Sequence, residues 1–492
     1  MRQLPLPALL LACAVLVATP APAQSSSTGQ PHPNPIDDLI SVHAPVFVLN
    51  HVRVIDGTGA PARDDQAVVV SNGRIQSIVP AASASVPAGA QVLDRPGYTV
   101  IPGLVGMHDH LYYTDSASFQ VVNGRIPEPG LFVAEIPYTA PRLSLAAGVT
   151  TMRTTGSLEP YTDLMVKNRI DSGLMPGPAL DATAPYLEGA PTPFAQMHEL
   201  TGPDDATRLV DYWAAEGMTS LKAYMHISRA ELAASITAAH AHHLKLTGHL
   251  CSVTWPEAIA LGIDDFEHGP IFTDTEFVSG KEADKCPARG AGSWANVDIH
   301  GAEVAKLIQD LVSHHVAVTS TLPVFEASVP GRPPLEQRTL DAMTAESAQS
   351  YLTARARVSL NSPVTALFRK EMDFEFAFAR AGGLLLAGPD PTGNGGVLPG
   401  FGDQREIELL VEAGFTPEQA IQIGTENGAI FLGRQDQIGT LADGKQADIV
   451  LIKGDPSKRI GDIENVETVF RNGVGFDSAK LVESVRHQVG IH

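Results

Sequence analysis

The chain has 492 residues and a formal net charge of −21, because 55 Asp and Glu outnumber 34 Lys and Arg. This acidity argues against a nucleic acid or an anionic membrane surface as a partner. It does not restrict the charge inside a pocket, so a site for a small substrate stays open.

The N-terminus has the pattern of a secretory signal peptide: Arg2, a short apolar segment, and the small-residue stretch Ala21-Pro22-Ala23. We predict cleavage of residues 1–23, a mature chain that begins at Gln24, and export to the periplasm or the medium. Lipid attachment at Cys13 is the alternative, but too little apolar sequence precedes it. No later segment is long and apolar enough for a membrane helix, so no membrane contact is expected after cleavage.

Both ends of the mature chain have β character. Residues 24–44 are mostly Ser, Pro and Gly in their first part and are predicted to be a flexible leader. Turn residues and short β-branched runs at 46–49, 52–55, 67–70 and 75–79 then predict an antiparallel sheet within 45–100. Residues 433–492 return to the same pattern. We predict that the two ends form one small β-sandwich domain with the middle of the chain inserted between them.

The middle of the chain, 101–432, alternates short apolar runs with stretches of helical period, which predicts an α/β fold. The predicted strands are 98–105, 149–153, 179–184, 220–224, 245–249, 265–268, 316–321 and 384–387. The predicted helices are 204–216, 229–242, 256–261, 301–314, 404–413 and 417–432. Eight strands are the number that a TIM (β/α)8 barrel requires.

Six residues that could serve one metal site follow or end five of these strands. Alternate residues of an extended strand point to the same side, so the spacing of the first two histidines lets both aim at one point. Each residue alone has an ordinary structural explanation, but strand ends of a barrel converge on one volume. The six are His108, His110, Lys222, His249, His268 and Asp390.

The chain here resembles the amidohydrolase superfamily, and within it the imidazolonepropionase-like branch that includes Xaa-Pro dipeptidases. The resemblance covers nearly the whole mature chain. The segments that carry it are Ile101-Pro102-Gly103-Leu104, Ala147-Gly148-Val149-Thr150-Thr151, Phe266-Glu267-His268-Gly269, 409–417 and 439–450.

The resemblance implies two divalent metal ions, with zinc expected. His108, His110 and Asp390 would hold one ion, and His249 and His268 the other. Lys222 would bridge both as a carbamate formed with carbon dioxide, because an ammonium has no lone pair to donate. A hydroxide bridging the metals would attack the substrate, with Asp390 as the proton acceptor.

The expected substrates are small peptides or N-acyl amino acids. A lactonase, an organophosphate hydrolase or a catalytically silent relative are the alternatives. The sequence departs from the family pattern at Asp109, at Thr154 and at 186–191, which bears on the substrate more than on the chemistry. The oligomeric state stays open, and a homo-oligomer is compatible with the sequence.

Several residues near the predicted site are candidates for substrate contact, each with a packing role as the alternative: Arg153, Tyr186, His198, Tyr224 and His226. Five other histidines fall at helix C-termini, where a cation suits the helix dipole, and are assigned no part in the site. They are His240, His242, His243, His314 and His315.

Two cysteines remain in the mature chain, Cys251 and Cys286. Cys251 lies two residues after His249, and Cys286 lies in the long segment 271–300 after the sixth strand. Both are expected near the same face of the barrel. A disulfide in an oxidising compartment and two buried free thiols are both open from the sequence.

Overall fold

The computed structural model describes residues 36–112, 135–192, 194, 196–287, 294–391 and 396–490. The predicted signal peptide 1–23 and most of the predicted leader lie outside these residues. The described chain has a mixed α/β fold. None of its helices is long and apolar enough to cross a membrane.

The strands are numbered in chain order. They are β1 Ile40–Val42, β2 Val46–Val54, β3 Arg63–Ser71, β4 Arg74–Pro80, β5 Gln91–Asp94, β6 Tyr98–Pro102, β7 Leu104–Gly106, β8 Val149–Arg153, β9 Ala179–Asp181, β10 Ser220–Ala223, β11 Lys245–Gly248, β12 Asp265–Glu267, β13 Ala317–Ser320, β14 Leu385–Ala387, β15 Ile449–Lys453, β16 Val466–Arg471 and β17 Val474–Asp477.

The α-helices are α1 Thr139–Ala146, α2 Pro160–Asp171, α3 Pro203–Glu216, α4 Arg229–Ala241, α5 Trp255–Leu261, α6 Pro270–Thr273, α7 Ala302–Ser313, α8 Leu322–Glu326, α9 Gln337–Ala342, α10 Ala345–Arg357, α11 Val364–Arg380, α12 Phe401–Ala413, α13 Pro417–Gln422, α14 Gly428–Phe431 and α15 Ser478–Glu483. Short 3-10 helices lie at Asp37–Leu39, Ala81–Ser83 and Ile460–Glu464.

Both ends of the described chain join one nine-stranded sheet. Its order is β1-β17-β16-β15-β6-β2-β3-β4, and β5 pairs with β2. The sheet begins at Ile40, inside the segment 24–44 that the sequence predicts as leader. The two runs predicted as separate strands, 46–49 and 52–55, are one strand with an irregular register, because His51 takes a positive φ of 58° inside it.

The centre of this sheet is buried on both faces. Along β15, Ile449 and Leu451 pack into a core made mostly by the sheet strands, with Leu441 and Ala447 from the segment before β15. The alternate residues Val450 and Ile452 pack into the large core of the helical part. Since strand side chains alternate between faces, this sheet connects the two parts of the molecule through a continuous apolar contact.

The remaining eight strands are parallel and form sheets of three and five strands, β7-β8-β9 and β10-β11-β12-β13-β14. Backbone hydrogen bonds join their edges on both sides. The Leu187 N–H, beyond β9, donates to the Lys222 carbonyl on β10 (2.9 Å), and the Met107 N–H, beyond β7, donates to the Ala387 carbonyl on β14 (2.9 Å).

The predicted strand 98–105 is two strands in different sheets. β6 pairs with β15, whereas β7 pairs with β8. The change occurs at Gly103, whose N–H donates to Asp448 (2.9 Å). A Cβ at this position would lie 2.0 Å from the Thr150 Oγ1, so only glycine lets the two sheets approach this closely. A mostly apolar run does not mark such a break.

The predicted helix 417–432 consists of α13, a π-helical turn Ile423–Asn427, and α14. The wider turn lies against β7, where a Cβ added to Gly428 would be 2.7 Å from Val105. Other helices were not predicted at all. α2 buries only three of its 12 residues and α10 only two of its 13, so they lack the apolar period on which sequence recognition depends.

Candidate metal centre

Two histidines that follow β7 face the carboxylate that follows β14. The chain segments are joined by the Asp390 N–H, which donates to the His108 carbonyl (3.0 Å). The Asp390 Oδ1 lies 3.5 Å from the His108 Nε2 and 3.2 Å from the His110 Nε2, and all three side chains are buried. The spacing of two histidines two residues apart thus brings both rings to one point.

The other three predicted residues lie in the same cluster. Lys222, on β10, places its Nζ 3.3 Å from the His108 Nε2. His268 follows β12, and its Nε2 lies 3.1 Å from the His249 Nδ1 and 3.8 Å from the Asp390 Oδ2. The strand ends therefore bring together all six residues that the sequence predicts as ligands.

Burial favours the deprotonated form of the nitrogens in this cluster. Burial, together with the nearby Lys222, lowers the pKa of His108 to about 4. Burial also lowers the pKa of His249 and that of Lys222. Burial alone would raise the pKa of Asp390, but the neighbouring histidines, His108 first, outweigh it and hold that pKa well below its usual range. The imidazoles therefore offer lone pairs, and the carboxylate is charged.

This arrangement fits a metal ion. The Asp390 Oδ1 is buried, and within the described residues it has no hydrogen-bond donor. Ligand atoms of Asp390, His108 and His110 all lie within 4.8 Å of one another. Electron-pair donors that face one another without a proton need a cation between them, and two imidazoles with a carboxylate are a ligand set of Zn²⁺.

Two of the six residues have a backbone conformation that residues other than glycine rarely adopt. His268 has φ of 67° and Asp390 has φ of 51°. Each costs on the order of 1–3 kcal/mol, a cost that recurs at functional sites because the surrounding structure imposes it. His268 directly follows β12, and Asp390 lies three residues beyond the end of β14.

Glu267, whose carboxylate lies behind His108, was not predicted as part of the site. The His108 Nδ1 lies 2.8 Å from the Glu267 Oε2, and both side chains are fully buried. A carboxylate here favours the tautomer that leaves the Nε2 lone pair free. Burial would raise the pKa of Glu267, but Arg153 and His108 outweigh it and hold that pKa below its usual range. The signal was present: Asp265 and Glu267 are alternate acids in a three-residue strand.

Other ring nitrogens are also held from behind. The His268 Nδ1 lies 2.6 Å from the Thr321 Oγ1. The His110 Nδ1 lies 3.2 Å from the Thr154 carbonyl. Because each contact orients a ring, the second nitrogen of that ring is directed into the cluster. Thr154, one of the positions where the sequence departs from the family pattern, contributes its backbone carbonyl here.

Arg153, predicted as a substrate contact with a packing role as the alternative, lies beneath the cluster. Its Nε and Nη2 donate to the Met107 carbonyl (2.8 and 2.6 Å), and Nη2 lies 2.9 Å from Glu267 and 3.2 Å from Asp265. The side chain is only 1% exposed. A guanidinium bound by two buried carboxylates and a carbonyl supports the strand ends. This is the packing role that the sequence left as the alternative.

The remaining predicted substrate contacts separate into two groups. The rings of Tyr186 and Tyr224 lie 4.9 Å apart at an angle of 59°, and their centroids lie 5.4 and 5.7 Å from the Lys222 Nζ. His226 follows on the same segment. His198, in contrast, pairs with Asp205 at the start of α3 (2.9 Å) and has a half-exposed side chain, so its described contact explains it without the site.

Cys251 and Cys286 form a disulfide. Cys251 follows His249 by two residues, so the bond attaches the segment after α6 to the strand end that carries a candidate ligand. The Cys251 backbone is held in turn by Met225, whose carbonyl accepts its N–H (3.2 Å). The disulfide therefore lies next to the site.

Comparison with known proteins gives a family match over part of the chain and a fold over most of it. Residues 393–475 match the model of the amidohydrolase family. A protein assigned as a prolidase from Bifidobacterium longum is 22% identical, with a TM-score of 0.62 over 89% of this chain and 98% of its own. A Xaa-Pro dipeptidase with bound methionine is 18% identical, with a TM-score of 0.62 over 88% and 100%.

A bottromycin amidohydrolase is 19% identical, with a TM-score of 0.66 over 92% of this chain and 94% of its own. At these identities the likeness concerns the fold. No curated protein matches the sequence significantly.

Proposed function

We propose that the chain, which matches the amidohydrolase family over residues 393–475, is a hydrolase that uses two divalent metal ions to cleave carbon–nitrogen bonds in small peptides or N-acyl amino acids. One observation carries the proposal. A buried carboxylate oxygen of Asp390, without a donor among the described residues, faces the lone pairs of His108 and His110. Similarity to a Xaa-Pro dipeptidase and a bottromycin amidohydrolase supports the choice of an amide bond.

In this proposal His108, His110 and Asp390 would hold one ion, His249 and His268 would hold the other, and Lys222 would be a ligand shared by both. Bound divalent metals polarise a carbonyl and lower the pKa of water. Burial favours the neutral amine of Lys222, which is the form that adds carbon dioxide. The resulting carbamate would supply oxygen ligands and a negative charge against two cations.

Asp390 is the proposed proton carrier. Its carboxylate is held charged by the neighbouring histidines, so it can accept a proton from the attacking water and return it to the leaving nitrogen. Glu267 and Thr321 keep the rings of His108 and His268 in place during this transfer. The aromatic pair Tyr186 and Tyr224 borders the same volume, on the side where substrate would lie.

We further propose that the eight parallel strands are a (β/α)8 barrel. Hydrogen bonds across both edges of the two sheets, from Leu187 to β10 and from Met107 to β14, support it. In such a barrel the active site is at the carboxyl ends of the strands, and the six residues of the cluster lie at or directly beyond those ends.

Export is the remaining part of the proposal. The disulfide between Cys251 and Cys286 supports it, since disulfides persist in oxidising compartments. N-terminal sequencing of secreted or periplasmic protein tests it. A start at Gln24 is expected, and a lipid-modified start at Cys13 would contradict it.

The function is tested by measuring metal content beside turnover. The purified protein should hold about two divalent ions and cleave amides from a panel of dipeptides and N-acyl amino acids. Lys222→Ala should lose metal and activity together, with partial rescue by added formate or acetate. Asp390→Asn should lower kcat by about 10²-fold or more, as for a missing general base. Asp205→Asn removes a histidine-paired carboxylate outside the site and is the matched control.

Two outcomes contradict the proposal. If Lys222→Ala retains both metals and near-normal turnover, the lysine does not bridge a metal pair. If the purified protein binds no divalent ion and cleaves none of the amides, the chain is a catalytically silent relative.

A further inference from the structure

The glutamate at position 188 faces the candidate site, and the backbone pairing shows why. The Leu187 N–H donates to the Lys222 carbonyl (2.9 Å), and the Tyr224 N–H donates to the Leu187 carbonyl (3.0 Å). Leu187 is therefore paired with Ala223. Residues on either side of such a pair point to the opposite face, so the side chains of 186 and 188 share a face with those of 222 and 224.

Among the described residues, only one of the two Glu188 carboxylate oxygens has hydrogen-bond partners. Its Oε1 accepts the N–H of His226 (2.6 Å) and of Gly189 (2.8 Å). Its Oε2 is buried and has no hydrogen-bond partner in the part of the chain that the structure describes. The side chain is 0% exposed. An unpaired carboxylate oxygen in such a position costs about 1–3 kcal/mol or more, a cost that a bound donor would remove.

The surroundings of Glu188 suit a cation. The His226 ring, with its Nδ1 3.7 Å from the Glu188 Oε1, has a quarter of its side chain exposed and borders the carboxylate on the solvent side. The rings of Tyr186 and Tyr224 lie on the same face, and aromatic faces attract ammonium groups. Burial raises the pKa of Glu188 to about 8, and a neighbouring cation would favour its charged form.

We infer that Glu188, with Tyr186 and Tyr224 beside it, forms a subsite for a primary ammonium group of the substrate. This inference rests on the proposed amide hydrolysis and narrows its substrate class. Small peptides with a free amino group are preferred over N-acyl amino acids, in which that nitrogen is an uncharged amide. Glu188 acts as a specificity residue: it binds the substrate at a distance from the bond that breaks.

The test compares two forms of one substrate, a dipeptide with a free amino group and the same dipeptide N-acetylated. In the wild type, kcat/KM should be higher for the free form. Glu188→Gln keeps an oxygen for the two backbone N–H groups but removes the charge. It should reduce the ratio of the two kcat/KM values by about 10–100-fold, as for a lost hydrogen bond to a charged group. Glu303→Gln removes an exposed carboxylate on α7 and should leave the ratio unchanged.

Calorimetry on the wild type gives a second measure that needs neither turnover nor a folded variant. L-leucinamide, a primary amine at about pH 7, should bind at least tenfold more tightly than N-acetyl-L-leucinamide. Equal binding of the two probes, or a Glu188→Gln variant that lowers both kcat/KM values equally, overturns the inference. If no dipeptide is cleaved but L-leucinamide still binds selectively, the ammonium subsite stands and the proposed hydrolysis fails.

Discussion

Replacing Arg153 by Met tests whether this residue supports the site from beneath or contacts substrate. The guanidinium is the described cation beside the buried carboxylates of Asp265 and Glu267, at 3.2 and 2.9 Å. Methionine fills much of the volume of the arginine side chain but leaves both acids without the positive charge of the guanidinium. Breaking a buried ion pair by removing one partner costs about 3–5 kcal/mol, so we expect a loss of unfolding free energy of that size.

Urea denaturation followed by tryptophan fluorescence measures this loss, since Trp255 and Trp294 are fully buried. Arg208→Met is the matched control. Arg208 pairs with Asp205 but has a side chain that is 74% exposed, and exposed pairs contribute roughly 0–1 kcal/mol. If Arg153→Met leaves stability unchanged and only raises KM, Arg153 contacts substrate and the structural account of it is wrong.

The same substitution should also weaken metal binding. Glu267 lies behind the His108 Nδ1 and is held charged by Arg153. Loss of groups that orient a metal-bound histidine typically costs 10–100-fold in metal affinity. Competition against a chelator of known affinity measures it, and an unchanged metal affinity would show that Glu267 orients His108 without help from Arg153.

Two further substitutions test other parts of the structure. Burial raises the pKa of Glu371 to about 8, far above its value in the unfolded chain. The proton on Glu371 therefore stabilises the folded protein. This contribution to the unfolding free energy is fully present below about pH 4.5 and is lost as the pH rises through 8. Glu371→Gln, which keeps the acceptor for the Ile271 N–H, should therefore weaken the fall in stability between pH 5 and 9 by up to about 1.4 kcal/mol per pH unit; an unchanged slope contradicts this. Gly103→Ala places a Cβ 2.0 Å from the Thr150 Oγ1 and should lower the unfolding free energy by about 1–3 kcal/mol in the same urea assay. Gly461→Ala is the control: its Cβ would meet no described atom closer than 3.5 Å, and it should cost under about 1 kcal/mol.

The candidate ligands could be predicted from the sequence because strand ends are local features. His108 and His110 follow an apolar run, and His249 and His268 end their own runs, so each can be located without knowing its neighbours. Parallel strands then bring their carboxyl ends together, as the structure has them. The β character of both chain ends is local in the same way, and it led to the prediction that they share one domain; the structure has them in one nine-stranded sheet.

The role of Arg153 was not predictable in this way. A strand-end arginine can point towards a substrate or pack beneath the strand ends, and only its distances to Asp265 and Glu267, more than a hundred residues later, decide between the two. The break at Gly103 likewise depends on the approach of Thr150.

By itself, then, the sequence determined which residue types stand at the strand ends and in what order, since these follow from local spacing and apolar period. Tertiary structure alone decided which of them face one another. It placed Arg153 against Asp265 and Glu267, joined Cys251 to Cys286, and buried Glu188 with one oxygen that has no partner among the described residues. The physical reason is that burial, charge pairing and close backbone approach are set by residues distant in the chain.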